Sequence, residues 1–344
     1  MKNKNASFPY IISRFFQAYL PGERGYSGAT VSSYRDTFKQ LLIYCRDRCG
    51  KQPEQLRVTD ISRDVVVGFL DSLEAGGRSI STRNQRLAAI KCFFKYISYA
   101  FPEYLDTSSS IIAIKMKKQP EPAVSYMSVE GVACVLRQPD MHRKSGYRDA
   151  LMLAVLYDSG ARVTEVTRIR IGDIRVQPPA TIVLHGKGSK DRIVPLSSKT
   201  AGLISSYLQQ ERMQGAAFKD KLLFTNRSGG QLTRAGIAYI LKKYVGMARS
   251  EEPELIPEKF SPHCMRHSKA MHLLQAGVAI IYIRDFLGHD SVKTTEVYAK
   301  ADGKSKRAAL DAAYSAALDD PNMPSSSWND DNTLMDFLKK LCDS

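Results

Sequence analysis

The sequence predicts a mainly helical fold with a small β-sheet, divided between two domains. Apolar residues recur at spacings of three and four over most of the chain, as in helices that bury one face. One pair of β-favouring runs flanks a Gly-rich connection, and one Ser-, Lys- and Pro-containing stretch shows neither period. A length of 344 residues accommodates two domains at about 100 to 200 residues each. With 43% apolar residues a core is available, and a disordered chain is excluded.

In the first domain, expected over 1–107, four segments carry helical periodicity: Tyr10 to Tyr19, Thr30 to Arg48, Arg63 to Glu74 and Ser81 to Tyr99. Pro-Gly, Lys-Gln-Pro and Gly-Gly breaks separate them. In the fourth, Leu87, Ile90, Phe93, Phe94 and Ile97 form an apolar face, while Arg83, Arg86, Lys91 and Lys95 fall on other turns. That basic side is either solvated or in contact with phosphates. A linker is expected over 108–125, where Ser108 to Ser110 precede Lys115, Lys117, Lys118, Pro120 and Pro122, and each proline biases the residue before it toward extended chain.

The second domain is expected over 126–310. Ser128 with Glu130 marks a helix start, Asp149 to Tyr157 is an apolar helix, and Val163 to Ile169 is another. Thr181 to Leu184 and Arg192 to Leu196 then read as two strands of a hairpin, with Lys187 near the tip of the connection between them. Helices resume at Lys199 to Met213, Arg234 to Ala248, Cys264 to Ala276 and Ile280 to Phe286. The tail, 311–344, is acidic, and the spacing of Leu334, Phe337, Leu338 and Leu341 suits a docking helix.

Charge points to a polyanionic partner. The net charge of +15 divides into +9 over 1–120, +11 over 121–310 and −5 over 311–344. A positive field on both domains suits phosphate neutralisation and counterion release, although a basic enzyme without a nucleic-acid partner has the same balance. The densest apolar run, Ala150 to Tyr157, is far below the roughly 18 residues of a membrane span, and no secretory signal opens the chain. A soluble, cytoplasmic protein with no membrane partner is expected. The six cysteines are scattered without a C-x-x-C pair, so they are expected to be reduced thiols and not metal ligands.

Several polar residues stand where chemistry would use them. Arg162 follows an apolar helix at a turn where another helix opens, and the ordinary role there is an ion pair with Glu165 or Asp158. Gly186-Lys187-Gly188 lacks the spacing of a nucleotide-binding P-loop, but a lysine on a hairpin tip can donate a proton to a leaving oxygen. His263 and Arg266 are three apart at a helix start and share one face, which is either plain surface or an imidazole beside a guanidinium. A zinc site from His263, His267 and His289 lacks the H-E-x-x-H spacing and a nearby carboxylate. Leu287-Gly288-His289 ends one helix, and Tyr298 follows nine residues past His289 on the next.

The ordered set Arg162, Lys187, His263-x-x-Arg266, His289 and Tyr298 resembles the tyrosine recombinase family, which includes phage integrases and Xer-like recombinases. The resemblance covers about 290 residues and implies a two-domain DNA clamp, with a helical core-binding, SAM-like domain ahead of an α/β catalytic domain. It implies a site-specific recombinase or integrase that cuts and rejoins strands through a 3′-phosphotyrosyl link, with no cofactor, no ATP and no metal. By the same resemblance Tyr298 is the nucleophile, Arg162 and Arg266 grip the phosphate, and Lys187 protonates the 5′ oxygen. His263 assists proton transfer, His289 bonds a phosphate oxygen, and Glu165 supports its neighbours. Arg83, Arg86 and Arg234 are candidate DNA contacts.

Double-stranded recombination sites are the implied partner, bound by a homo-tetramer assembled from free monomers, with the tail helix docking in cis or in trans and with accessory or directionality proteins in attendance. No arm-binding domain is expected ahead of the helical one, which favours a simple recombinase or a mobile-element transposase over an accessory-factor-dependent phage enzyme; the role expected is integration, excision or transposition of a mobile element. The alternatives are Xer-like chromosome or plasmid dimer resolution, a type IB topoisomerase-like enzyme, and a catalytically idle DNA-binding protein. Cys264-Met265 and Lys269 depart from the residues common at these positions.

Overall fold

The computed structural model describes residues 7–119, 124–186 and 190–301. The chain divides into two compact units, Met1–Pro122 and Ala123–Ser344.

The first unit is helical. α1 (Phe8–Arg14) runs on through a π-helical segment, Phe15–Glu23, and is followed by α2 (Gly28–Cys49), α3 (Arg63–Ala75), α4 (Ile80–Ala100) and α5 (Leu105–Ile112). Ser27, Ser62 and Ser79 start α2, α3 and α4 by accepting from the backbone N–H groups of Thr30, Val65 and Thr82, which satisfies donors that a helix start leaves open. Leu87, Ile90, Phe93, Phe94 and Ile97 of α4 are all buried, as the periodicity requires. Phe93 meets Phe15 and Phe38 edge-on at 5.0 and 4.9 Å, a favourable arrangement for aromatic rings.

Two expectations change here. The stretch read as linker from residue 108 begins inside α5, where Ser108 is buried and Ile111 and Ile114 pack into the core of this unit. Its serines masked an apolar spacing of three. Arg83, expected on an exposed basic side, is instead 4% exposed and pairs with Glu74 at 2.6 Å. Arg86 is half-buried and donates to the Ser33 carbonyl and to Thr37 Oγ1, tying α4 to α2.

The second unit comprises α6 (Val129–Arg137), α7 (Lys144–Asp158), α8 (Val163–Val166), β1 (Ile174–Arg175), β2 (Thr181–His185), β3 (Asp191–Pro195), α9 (Ser198–Gln210), α10 (Arg234–Glu251), α11 (His263–Gln275), α12 (Ile280–Leu287) and α13 (Lys293–Ala301). The three strands are antiparallel in the order β1-β2-β3, with Leu184 opposite Arg192 and His185 opposite Asp191. Ile182, Leu184 and Val194 point into a core shared with Leu151, Leu153 and Leu156 of α7 and with Leu241 and Val245 of α10. A smaller cluster joins Ala270 and Met271 of α11, Ile283 and Leu287 of α12, and Tyr298 of α13. No described helix is long and apolar enough to cross a membrane. Lys187 and the tail helix predicted within 311–344 lie outside the described residues.

Candidate active site

The site grows from a glycine turn between α7 and α8. Gly160 has φ +57°, and a Cβ there would lie 3.0 Å from Leu287 Cδ2, so the turn needs glycine for both its conformation and its closeness to α12. It leaves Arg162 at the N-cap of α8, where Glu165 Oε2 accepts from the Arg162 backbone N–H at 2.8 Å. Glu165 Oε1 accepts from Arg162 Nη1 at 2.9 Å.

Arg192 of β3 approaches the same carboxylate as a fork, with Nη1 to Oε1 at 2.9 Å and Nη2 to Oε2 at 2.8 Å. Burial alone would raise the Glu165 pKa, but hydrogen bonds and charge from Arg192 and then Arg162 hold it below its ordinary value. Glu165 is therefore ionised, buried, and shared between two arginines.

A third arginine comes from α11. Arg266 is 4% exposed and donates to the carbonyls of Gly160 and Leu287, each at 2.7 Å. Burial, then repulsion from Arg162 and Arg192, brings its pKa down to about 9, so it remains cationic at neutral pH. Arg192 Nε donates to Phe286 O and Arg162 Nη2 to Gly288 O, both at 3.0 Å. Three successive carbonyls at the end of α12, those of Phe286, Leu287 and Gly288, thus receive one arginine each. A helix end leaves such carbonyls without intrahelical partners, and cations are favoured there. Gly288 has φ +64°, and a Cβ would lie 3.0 Å from Arg192 Cδ, so a side chain there would be strained and would push the arginine away.

Beyond Gly288 come His289 and Tyr298. Tyr298 is 1% exposed, and His267 Nδ1 lies 2.8 Å from its hydroxyl. Its ring stacks on His289 at 14° with centroids 6.4 Å apart. Burial raises the Tyr298 pKa above its ordinary value, with the positive charges of Arg266 and Arg162 opposing that rise. His289 Nδ1 shares a hydrogen bond with the buried Thr295 hydroxyl at 2.9 Å. Desolvation comes first, then Arg266 and other neighbouring cations, in bringing the His289 pKa down to about 4; desolvation, His263 and Arg266 do the same for His267. Both rings are neutral at pH 7. His263 is exposed at the start of α11, and its pKa is lowered by desolvation, then by Arg266, Arg234 and Arg162.

Arg162, Glu165, His263, Arg266, His289 and Tyr298 are thus brought together. Arg234 is exposed at the first residue of α10, near enough to influence His263. Asp158, the other candidate partner of Arg162, instead pairs with Lys269 at 3.2 Å and accepts from Ser197 N. Gly186 N bonds Lys190 O to close the base of the hairpin turn, and Lys190 pairs with Asp290 next to His289. Among the described residues no three His, Cys, Asp or Glu side chains converge as a metal-ligand set.

Sequence reasoning missed Arg192 and the use made of His267. In the sequence Arg192 marks the start of a strand, with nothing to show that it faces Glu165. His267 offers itself there only as a zinc ligand, although it follows Arg266 directly and lies one helical turn past His263. Chemically, two guanidiniums on one shared carboxylate, with the third, Arg266, held on nearby carbonyls, leave surplus positive charge beside a tyrosine hydroxyl, an arrangement suited to an anionic phosphoryl group.

Comparison with known proteins agrees with this chemistry. Residues 133–304 match the phage integrase family, and residues 13–98 match the phage integrase N-terminal SAM-like domain. An integrase/recombinase of Sinorhizobium fredii, y4rC, is 34% identical over 98% of this chain and 99% of its own length. The tyrosine recombinase XerC of Myxococcus xanthus is 31% identical over 88% of this chain and 97% of its own length. A crystal structure of the site-specific recombinase XerH, bound to a palindromic difH substrate after cleavage, shares the fold with a TM-score of 0.65 and 23% identity, covering 91% of this chain and 85% of the other.

The histidines make stability depend on pH. His263, His267, His272 and His289 all have folded-state pKa values below 6.5, with desolvation the first cause in each. As pH falls from 6.5 toward about 4, the unfolded chain takes up protons that the folded protein refuses, so stability falls. His185 acts in the opposite sense: hydrogen bonds to Asp191 and Asp173 raise its pKa, so its contribution is present below 6.5 and lost as pH rises through the folded value. Four groups outweigh one, and the urea midpoint is expected to be lower at about pH 5 than at about pH 7. An equal or higher midpoint at the lower pH would contradict this description.

Proposed function

The chain belongs to the phage integrase family, the tyrosine recombinases, and from that premise we propose that it is a site-specific DNA recombinase whose nucleophile is Tyr298. The observation that carries this reading is the Arg162–Glu165–Arg192 and Arg266 cluster, whose surplus positive charge lies within reach of the Tyr298 hydroxyl.

In the reaction, Tyr298 Oη bonds to the scissile phosphorus while the bond to the 5′ oxygen breaks, leaving a 3′-phosphotyrosyl link. The link conserves the energy of the phosphodiester, so a 5′-hydroxyl from a second strand can reverse the step without ATP or metal. Arg162 and Arg266 hold the non-bridging oxygens and neutralise the charge that builds on the phosphorane. Lys187 supplies the proton to the departing 5′ oxygen. His263 assists proton transfer at the tyrosine or the phosphate, His289 bonds a phosphate oxygen, and Glu165 fixes the arginines. The helical domain of 1–107 binds the duplex, together with Arg234 at the head of α10, and the catalytic domain of 126–310 performs the chemistry.

For biological role the reading is integration, excision or transposition of a mobile element. It is supported by the end-to-end likeness to the Sinorhizobium fredii integrase/recombinase. Xer-like dimer resolution is the second reading, supported by the likeness to XerC. Either role calls for a tetramer on paired sites in the cytoplasm, with the C-terminal tail docking in cis or in trans. Recombination between two separate duplexes distinguishes both from a topoisomerase, which needs only one.

The test incubates the protein with nicked suicide substrates made from the DNA flanking its own gene and looks for protein joined to a 3′ end. Tyr298→Phe is expected to abolish the adduct while leaving site affinity within a few-fold, and an adduct formed by this variant would remove Tyr298 from the chemistry. Arg162→Lys is expected to slow cleavage by about 100-fold or more, because lysine cannot hold Glu165, Gly288 O and a phosphate oxygen together. Cleavage near the wild-type rate would make Arg162 a purely structural residue.

A further inference from the structure

A phenol must give up its proton as its oxygen bonds to phosphorus, and inside a protein that proton needs a named destination. His263 stands at the exposed start of α11, whereas the hydrogen bond to the Tyr298 hydroxyl comes from the ring one turn further on, His267, with Nδ1 at 2.8 Å. The His267 and Tyr298 rings are 5.6 Å apart at 57°, and the His263 ring lies 6.3 Å beyond His267. Tyr298 has no other hydrogen-bond partner among the described residues, so with His267 in its Nε2–H tautomer the phenolic proton is directed at Nδ1.

We propose that His267 is the proton acceptor of the nucleophile: Nδ1 takes the phenolic proton as Tyr298 Oη bonds to the scissile phosphorus. The proposal rests on the recombinase reading. In the forward step the Oη–P bond forms, the P–O5′ bond breaks, and His267 becomes an imidazolium. In the reverse step the incoming 5′-hydroxyl bonds to phosphorus and gives its proton back to the neutral Lys187 amine, while Oη leaves and His267 returns its proton to it.

Burial makes this acceptor necessary and also tunes it. Tyr298 is 1% exposed, so a free phenolate would form without water to stabilise it. The groups acting on His267 are His263 and Arg266 from its own helix, Tyr298 from α13 and the His289 ring just past the end of α12. With the site empty, desolvation and the repulsion of His263 and Arg266 hold its pKa at about 4, so the ring is neutral, and in its Nε2–H tautomer Nδ1 is free to accept the proton. A phosphodiester anion on Arg162 and Arg266 offsets their charge and makes the imidazolium easier to form at the moment it is needed.

His267→Asn tests this, because Asn Oδ1 can still accept a hydrogen bond but cannot carry the proton away. Suicide substrates are cleaved with either an ordinary 5′ oxygen or a sulfur in its place, the sulfur leaving without protonation. The expected result is cleavage slowed by about 100-fold or more on both substrates, with loss of the acidic limb of the pH–rate profile. Lys187→Ala, by contrast, is expected to recover on the sulfur substrate. Unchanged thermal unfolding and site affinity check the fold, and His267→Gln replaces the first variant if that fails to fold.

Cleavage within about threefold of wild type with the acidic limb intact would overturn the proposal. So would rescue of the His267 variant by sulfur, which would move the residue to the leaving-group side. An adduct that survives Tyr298→Phe would instead overturn the recombinase assignment of the nucleophile, whatever His267 does.

Discussion

Three consecutive carbonyls at the end of α12 accept from three different arginines, and the catalytic unit is organised around that contact. Arg192 takes Phe286 O, Arg266 takes Leu287 O and Arg162 takes Gly288 O. These residues arrive from β3, from α11 and from the α7–α8 turn, so one helix end positions side chains separated by up to about a hundred residues of sequence. The same carbonyls lead directly into His289 and, nine residues on, Tyr298. The place where the arginines are held and the place from which Tyr298, the proposed nucleophile, follows are therefore one piece of backbone.

Glu165 completes this arrangement from below. A carboxylate buried with two guanidiniums contributes little net stability, because desolvation of the ions offsets most of their attraction. Its effect is geometric. By accepting four hydrogen bonds, from the Arg162 backbone, the Arg162 side chain and both ends of the Arg192 fork, it removes the freedom of side chains that otherwise have many rotamers. What remains is a rigid cluster with more positive charge than its own carboxylate cancels, a condition that is favourable only when an anion completes it. Next to it, two neutral histidines and a buried tyrosine keep the rest of the pocket free of competing charge.

Much of this was legible in the sequence. The apolar spacing of α4 identified the face that packs in the first unit, and the Gly-rich connection between two β-favouring runs located the β2–β3 hairpin. Arg162, His263, Arg266, His289 and Tyr298 were recognisable because their spacing survives without knowledge of the fold. Arg192 and the role of His267 were not legible, since each acts through a partner brought near only by tertiary packing: Glu165 in one case, Tyr298 in the other. The burial of Arg83 was hidden for a similar reason. An arginine on a helix reads as solvated unless its partner, here Glu74 on the preceding helix, is seen. α5 was hidden by Ser108 to Ser110, which read as linker although Ser108 is buried.

The most direct measurement of the central claim is chemical identification of the residue that carries DNA. A covalent complex trapped on a suicide substrate would be digested with nuclease and trypsin, and the nucleotide-bearing peptide sequenced by mass spectrometry. The nucleotide is expected on Tyr298 within the peptide Thr294 to Lys300. A nucleotide on any other residue would contradict it, because no other side chain has been placed beside both the arginine cluster and a proton acceptor.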